Sequence, residues 1–187
     1  MCYTIRQERE KAGNRCADAC GKAFSCLSCE IKPRKWKEYG MGRTIAIANQ
    51  KGGVGKTTTA INLSACLAEA GQRVLTIDFD PQGNATTGLG LEKEQIEDTV
   101  YELLLGDCTL EDCLMRDVQE NLDVLPSDSN LAGAEIELLD VENKESVLNG
   151  YLETIRDQYD FIIIDCPPSL SLLTINALVA ADTVLVP

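Results

Sequence analysis

The ten residues from Asn49 to Thr58, reading Asn-Gln-Lys-Gly-Gly-Val-Gly-Lys-Thr-Thr, constrain this chain more than any other stretch. A short apolar run over residues 44–48 precedes them, and a helical pattern over residues 58–70 follows. A glycine-rich turn in that place joins a buried strand to a helix, and a buried strand needs further strands beside it. The turn also carries chemistry. Gly52, Gly53 and Gly55 let backbone N–H groups turn inward as a nest, and the helix start adds the positive end of its dipole. Lys56 is placed to reach the β and γ phosphates of a nucleotide, and Thr57 offers a hydroxyl to magnesium. The strict G-x-x-x-x-G-K-[ST] pattern fails, because Gln50 stands at its first glycine and a second lysine, Lys51, follows.

From residue 41 onward, apolar runs alternate with helical patterns, which predicts an α/β fold: a mostly parallel sheet with helices on both faces. Strands are expected at 44–48, 73–78, 121–125, 159–165 and 183–186, and helices at 58–70, 95–105, 110–116, 131–139, 146–158 and 172–180. Residues 79–90 read as a loop. Gly71 suits the left-handed residue that closes a helix. The run 159–165, β-branched and apolar, reads as a central strand. The last strand has no helix after it, so the chain reads as the larger part of a longer α/β domain whose C-terminal part is missing.

Two carboxylates end the second strand, Asp78 and Asp80, and their spacing of two puts them on one side of an extended chain, where both can face one ion. Asp165 ends the 159–165 run and is followed by Cys166, Pro167, Pro168 and Ser169.

The run from Lys51 to Thr57 resembles the deviant Walker A motif of the ParA/MinD superfamily of P-loop NTPases, and the stretches after Asp78 and Asp165 resemble its switch I and its Walker B with switch II. The wording Asp78-Phe79-Asp80-Pro81-Gln82-Gly83-Asn84, with Leu131-Ala132-Gly133-Ala134-Glu135 and Asp165-Cys166-Pro167-Pro168-Ser169-Leu170, looks like the Soj/ParA branch in particular. The resemblance runs through residues 41–187 and implies an Mg-ATP-binding and hydrolysing dimerisation switch for chromosome or plasmid partitioning. It implies ATP and Mg2+ as ligands, with Lys51, Gly52, Gly53, Val54, Gly55, Lys56, Thr57 and Thr58 binding the nucleotide. Lys51, Lys56 and Asp80 would be the catalytic set, Lys51 reaching phosphates held by the partner of an ATP-dependent homodimer and Asp80 positioning water. Thr57, Asp78 and Asp165 would serve the metal. The implied partners are a ParB-like protein with a basic N-terminal segment and, for the complete protein, non-specific DNA; the implied place is the cytoplasm, on the nucleoid.

Charge divides the chain at the same boundary. Residues 1–40 hold nine Lys/Arg against five Asp/Glu, and residues 41–187 hold eight against 25, a net of −17. A domain that acidic lacks the basic footprint of a DNA binder, so DNA retention is not expected of this part alone. The first 40 residues read as a basic, Cys-rich extension, disordered or translated from a start upstream of Met41. Their Cys16, Cys20, Cys26 and Cys29 hold only one of the tight pairs that zinc sites use, so a metal or iron–sulfur site is the lesser reading. The corresponding alternative function is an iron–sulfur cluster carrier of the Mrp type, which shares the deviant loop; an inactive ParA fragment is another. Cys66, Cys108, Cys113 and Cys166 are expected to pack. No apolar run approaches the length of a membrane span, and no secretory signal opens the chain, so no membrane partner is expected.

Overall fold

The computed structural model describes residues 42–187, and the extension, with its four clustered cysteines, lies outside them. Six strands form one sheet in the order β3-β4-β2-β5-β1-β6. These are β1 (Arg43–Ile47), β2 (Val74–Asp78), β3 (Met115–Gln119), β4 (Leu122–Leu125), β5 (Phe161–Asp165) and β6 (Thr183–Leu185). Every neighbouring pair is parallel except β3 with β4. The mostly parallel sheet expected from the sequence is present.

The central strands β2 and β5 are buried on both faces, yet their side chains still alternate. Leu75, Ile77, Ile162 and Ile164 join one core cluster, whereas Val74 and Ile163 join the other. Helix α1 (Lys56–Glu69) covers the second face, and its buried positions Lys56, Ala60, Ser64 and Ala68 recur every four residues. Three of these are small, which lets the helix lie close on the sheet. Gly71, at φ 80, ends it as the sequence predicts. The larger core, on the opposite face, is filled by α3 (Val100–Leu105), α5 (Leu131–Glu137), α6 (Val147–Glu153) and α7 (Leu172–Ala180). Cys113 and Cys166 pack as expected and Cys108 is half-buried, but Cys66 lies exposed on the outer side of α1.

Four expectations need correcting; of the helix expected over 146–158 only α6 forms, with a turn and a 3-10 segment at Arg156–Gln158 after it. The stretch read as a loop, 79–90, contains a short helix, α2 (Asn84–Gly88). The helix expected over 95–105 is only α3, because Thr99 and Glu102 form a capping box that starts it late. The helix expected over 110–116 stops after α4 (Leu110–Cys113), and Met115–Gln119 becomes strand β3 instead. Asn121, at φ 64°, sits in the turn that returns the chain onto β4, and Asp117, at φ 53°, lies within β3 where its register against β4 shifts. β3 is half-exposed and charged, as an edge strand that avoids further pairing should be.

Candidate nucleotide site

Three neighbouring strands end side by side at the C-terminal end of the sheet. In the register, Ile47 of β1 lies opposite Asp165 of β5, and Asp165 lies opposite Asp78 of β2. Loops leaving the C-terminal ends of parallel strands form the crevice in which open α/β sheets bind ligands.

The glycine-rich loop fills the first of these ends. Gly53 and Gly55 hold φ of 71° and 93°, a region that side chains avoid, and Gly55 caps α1 by accepting from Thr59 N at 2.8 Å. Gly52 is different: its backbone is unstrained, and a Cβ there would meet nothing within 4 Å. The chain itself does not require glycine at 52, but a ligand lying directly against the backbone does. Lys56, the first residue of α1, is 7% exposed, and its Nζ folds back to donate to the Lys51 carbonyl at 3.4 Å. Lys51 is exposed; its amide donates to Asn49 Oδ1 at 3.0 Å, and its ammonium has no partner among the described residues. Val54 and Thr57 are half-buried, and Thr58 faces outward.

The carboxylates differ sharply in how they are held. Asp165 is fully buried, and neither of its oxygens accepts a hydrogen bond from a described residue. Burial raises its pKa to about 7; the Thr57 hydroxyl nearby, outside hydrogen-bond geometry, and the Lys56 charge ease it down, while the charges of Asp78 and Asp80 push it up. A bare buried carboxylate is costly, and a cation is the group that would satisfy it. Among the described residues no three His, Cys, Asp or Glu side chains converge into a cage. An ion here would therefore take few protein oxygens and draw the rest from phosphate and water, which is the habit of magnesium. The residues present fit that ion.

Asp78 is also fully buried, but its oxygens are in use. Oδ2 accepts from the Thr86 amide at 2.7 Å and the Thr86 hydroxyl at 2.8 Å, and Oδ1 accepts from the Asp80 amide at 3.3 Å. Burial pushes its pKa up, and these bonds partly offset the push. Asp80 is 8% exposed and accepts from Gln82 N at 2.9 Å through Oδ1, leaving Oδ2 without a protein partner among the described residues. Thr86 escaped the sequence reading because it sits in the stretch taken for a loop. Ser127, which bonds to both Thr86 and the Asp80 carbonyl, lies 41 and 47 residues from them and carried no local signal. Cys166, beside Asp165, is no nucleophile: burial and then the Asp165 charge push its thiol up to about 12.

Comparison with known proteins agrees with this geometry. Residues 42–187 match the family model described as an AAA domain. The chain is 58% identical over 147 residues to the sporulation initiation inhibitor protein Soj of Bacillus subtilis, an alignment covering 79% of this chain and 58% of that one. It is 54% identical over 147 residues to the chromosome partitioning protein ParA of Myxococcus xanthus, covering 79% and 52%. Among solved structures, that of cobyrinic acid a,c-diamide synthase from Mycobacterium smegmatis, with bound ATP analogue and magnesium, superposes with a TM-score of 0.75 at 46% identity, covering 78% of this chain and 59% of that one. The chain thus spans a little over half the length of the curated relatives it matches.

Proposed function

This chain belongs to the Soj/ParA family of P-loop ATPases, and on that premise we propose that it binds Mg-ATP and uses its hydrolysis to switch a homodimer on and off in DNA partitioning. The observation that carries the reading is the presence, at one end of the sheet, of Lys56, buried against an open glycine loop, and Asp165, a buried carboxylate that accepts no hydrogen bond from any described residue. Backbone N–H groups over residues 52–58 cradle the phosphates, and the Lys56 ammonium leaves the Lys51 carbonyl to neutralise them. Thr57 and Asp165 would hold the magnesium, with Asp78 held beside Asp165 by its own hydrogen bonds. The ion, when bound, neutralises charge that develops on the transferring phosphoryl group. Asp80 uses its uncommitted Oδ2 to orient the attacking water. Lys51, exposed and with no partner for its ammonium among the described residues, reaches the phosphates of the partner subunit, as a finger supplied in trans.

For the complete protein, the relatives named for chromosome partitioning support a ParB-like partner and non-specific DNA as the two things the switch connects. No described helix is long and apolar enough to cross a membrane. The central test is ATP turnover together with the oligomeric state in ATP and in ADP. A protein that hydrolyses ATP while remaining one size in both nucleotides would remove the dimer switch.

Asp165 makes the ion requirement pH-dependent. With its pKa raised to about 7, the Asp165 carboxyl is protonated below that pH in the ion-free site and must release its proton to ligate. The magnesium concentration that half-saturates nucleotide binding is therefore expected to rise about tenfold per pH unit below 7, and to level off above it. The ion-free fold has the opposite sign: Asp165 favours it at low pH and stops doing so as pH climbs from the ordinary 3.8 through about 7. Titration of a fluorescent ATP analogue at pH 6 and pH 8 measures the first effect. A requirement that does not move with pH would take Asp165 out of the ion site.

Deleting residues 1–40 is expected to leave nucleotide affinity unchanged, within about twofold, because every group named above lies after residue 41 and the acidic body carries its own core. Equilibrium binding of the same analogue to both forms measures it. A tenfold loss would show that the basic extension takes part in the site.

A further inference from the structure

We propose that Thr86 and Ser127 are positioning residues for ATP hydrolysis, holding Asp80 through a closed ring of four buried hydrogen bonds. The inference rests on the reading of Asp80 as the carboxylate that orients water. The ring starts at Asp78, whose Oδ2 accepts from Thr86 Oγ1 at 2.8 Å. Thr86 Oγ1 in turn accepts from Ser127 N at 3.0 Å. Ser127 Oγ donates to the Asp80 carbonyl at 2.9 Å, and the Asp80 amide donates to Asp78 Oδ1 at 3.3 Å, which closes the circuit.

The direction of each bond is decided by chemistry. A backbone N–H only donates, so Ser127 N–H takes a lone pair of the Thr86 hydroxyl, and the one proton of that hydroxyl is left for Asp78. Asp78, Thr86 and Ser127 are fully buried and Asp80 is 8% exposed, so water does not compete for these groups. The Asp80 peptide is thereby gripped at its N–H by Asp78 and at its carbonyl by Ser127. The turn after it is held as well: Gly83, at φ 58, passes so near that a Cβ there would fall 2.7 Å from the Ser127 carbonyl oxygen. Ser127 itself stands just past the end of β4, whose preceding Pro126 carbonyl accepts from Val100 N at 2.9 Å. The switch loop is therefore fastened to the rigid end of a neighbouring strand, and Asp80 Oδ2 is offered to the crevice from a fixed backbone. Removing a ring hydroxyl leaves a buried N–H or carbonyl short of a partner and lets the loop drift, which weakens alignment of the reacting groups more than it weakens phosphate binding.

The test uses Thr86→Val, which keeps the shape but loses the hydroxyl, together with Ser127→Ala and Thr86→Ser in the whole protein. Turnover at saturating ATP is expected to fall about 10- to 100-fold in Thr86→Val and about threefold to tenfold in Ser127→Ala, with affinity for a fluorescent ATP analogue changed by less than about threefold. Thr86→Ser, which restores the hydroxyl, should return most of the turnover. If Thr86→Val does not fold, Ser127→Ala decides alone. Turnover within twofold of wild type in a folded Thr86→Val, or an equal loss of binding and turnover, would overturn the positioning role. A wild-type protein that binds ATP but never hydrolyses it would overturn the hydrolysis reading, and this inference with it.

Discussion

Replacing Lys56 by alanine is expected to abolish nucleotide binding, whereas replacing Lys51 leaves the monomer's affinity within about threefold of wild type. Lys56 is buried at the start of α1 with its ammonium on the loop carbonyl of Lys51. Removing a desolvated charge that faces phosphate costs on the order of 3–5 kcal/mol, a loss of about 150- to 5,000-fold in affinity. Lys51 has no such burial and no partner in its own chain among the described residues. Its proposed work lies across a subunit boundary, so Lys51→Ala should bind ATP and stay monomeric in it. Analogue titration and light scattering in ATP separate the two. Equal loss of affinity in both variants would make Lys51 an ordinary ligand within its own site.

The second large effect is expected at Asp80. Asp80→Ala removes the carboxylate with the free oxygen while the phosphate loop, Thr57 and Asp165 remain untouched. Turnover should fall about 100- to 10,000-fold, the span by which a group that positions or accepts a proton contributes, while ATP binding and dimerisation persist. The variant should accumulate as an ATP-bound dimer that does not decay over the lifetime of the wild-type complex. Single-turnover hydrolysis with size-exclusion chromatography reads both properties. Wild-type turnover would remove Asp80 from the chemistry and leave the orienting of water to another group. Loss of dimerisation together with turnover would instead give Asp80 a structural part in the switch.

These expectations differ from the outcome for Asp78. From the sequence, Asp78 and Asp80 form a symmetrical pair at the end of a strand, two carboxylates able to face one ion. In the structure the pair divides: Asp78 spends both oxygens on Thr86 and the Asp80 amide, whereas Asp80 keeps one oxygen free. Asp165, the third carboxylate, is the one left bare.

Where local chemistry suffices, the sequence by itself determined the result. The loop from Lys51 to Thr58 needs only its glycines, its lysines and a following helix. The β5 run needs only its unbroken apolar residues to become a buried central strand, and α7 follows the boundaries read for it. What depends on distant neighbours only the tertiary structure decided. Met115–Gln119 is a strand because β4 offers an unpaired edge, overriding the helical signal read through residue 116. Asp165 has a pKa near 7 because strands on both sides exclude water from it. The ring around Asp80 closes only when Ser127 is brought back across 41 residues to Thr86. Periodicity and short motifs report interactions within a few residues along the chain, whereas edge pairing, desolvation and long-range hydrogen bonds exist only once the sheet has assembled.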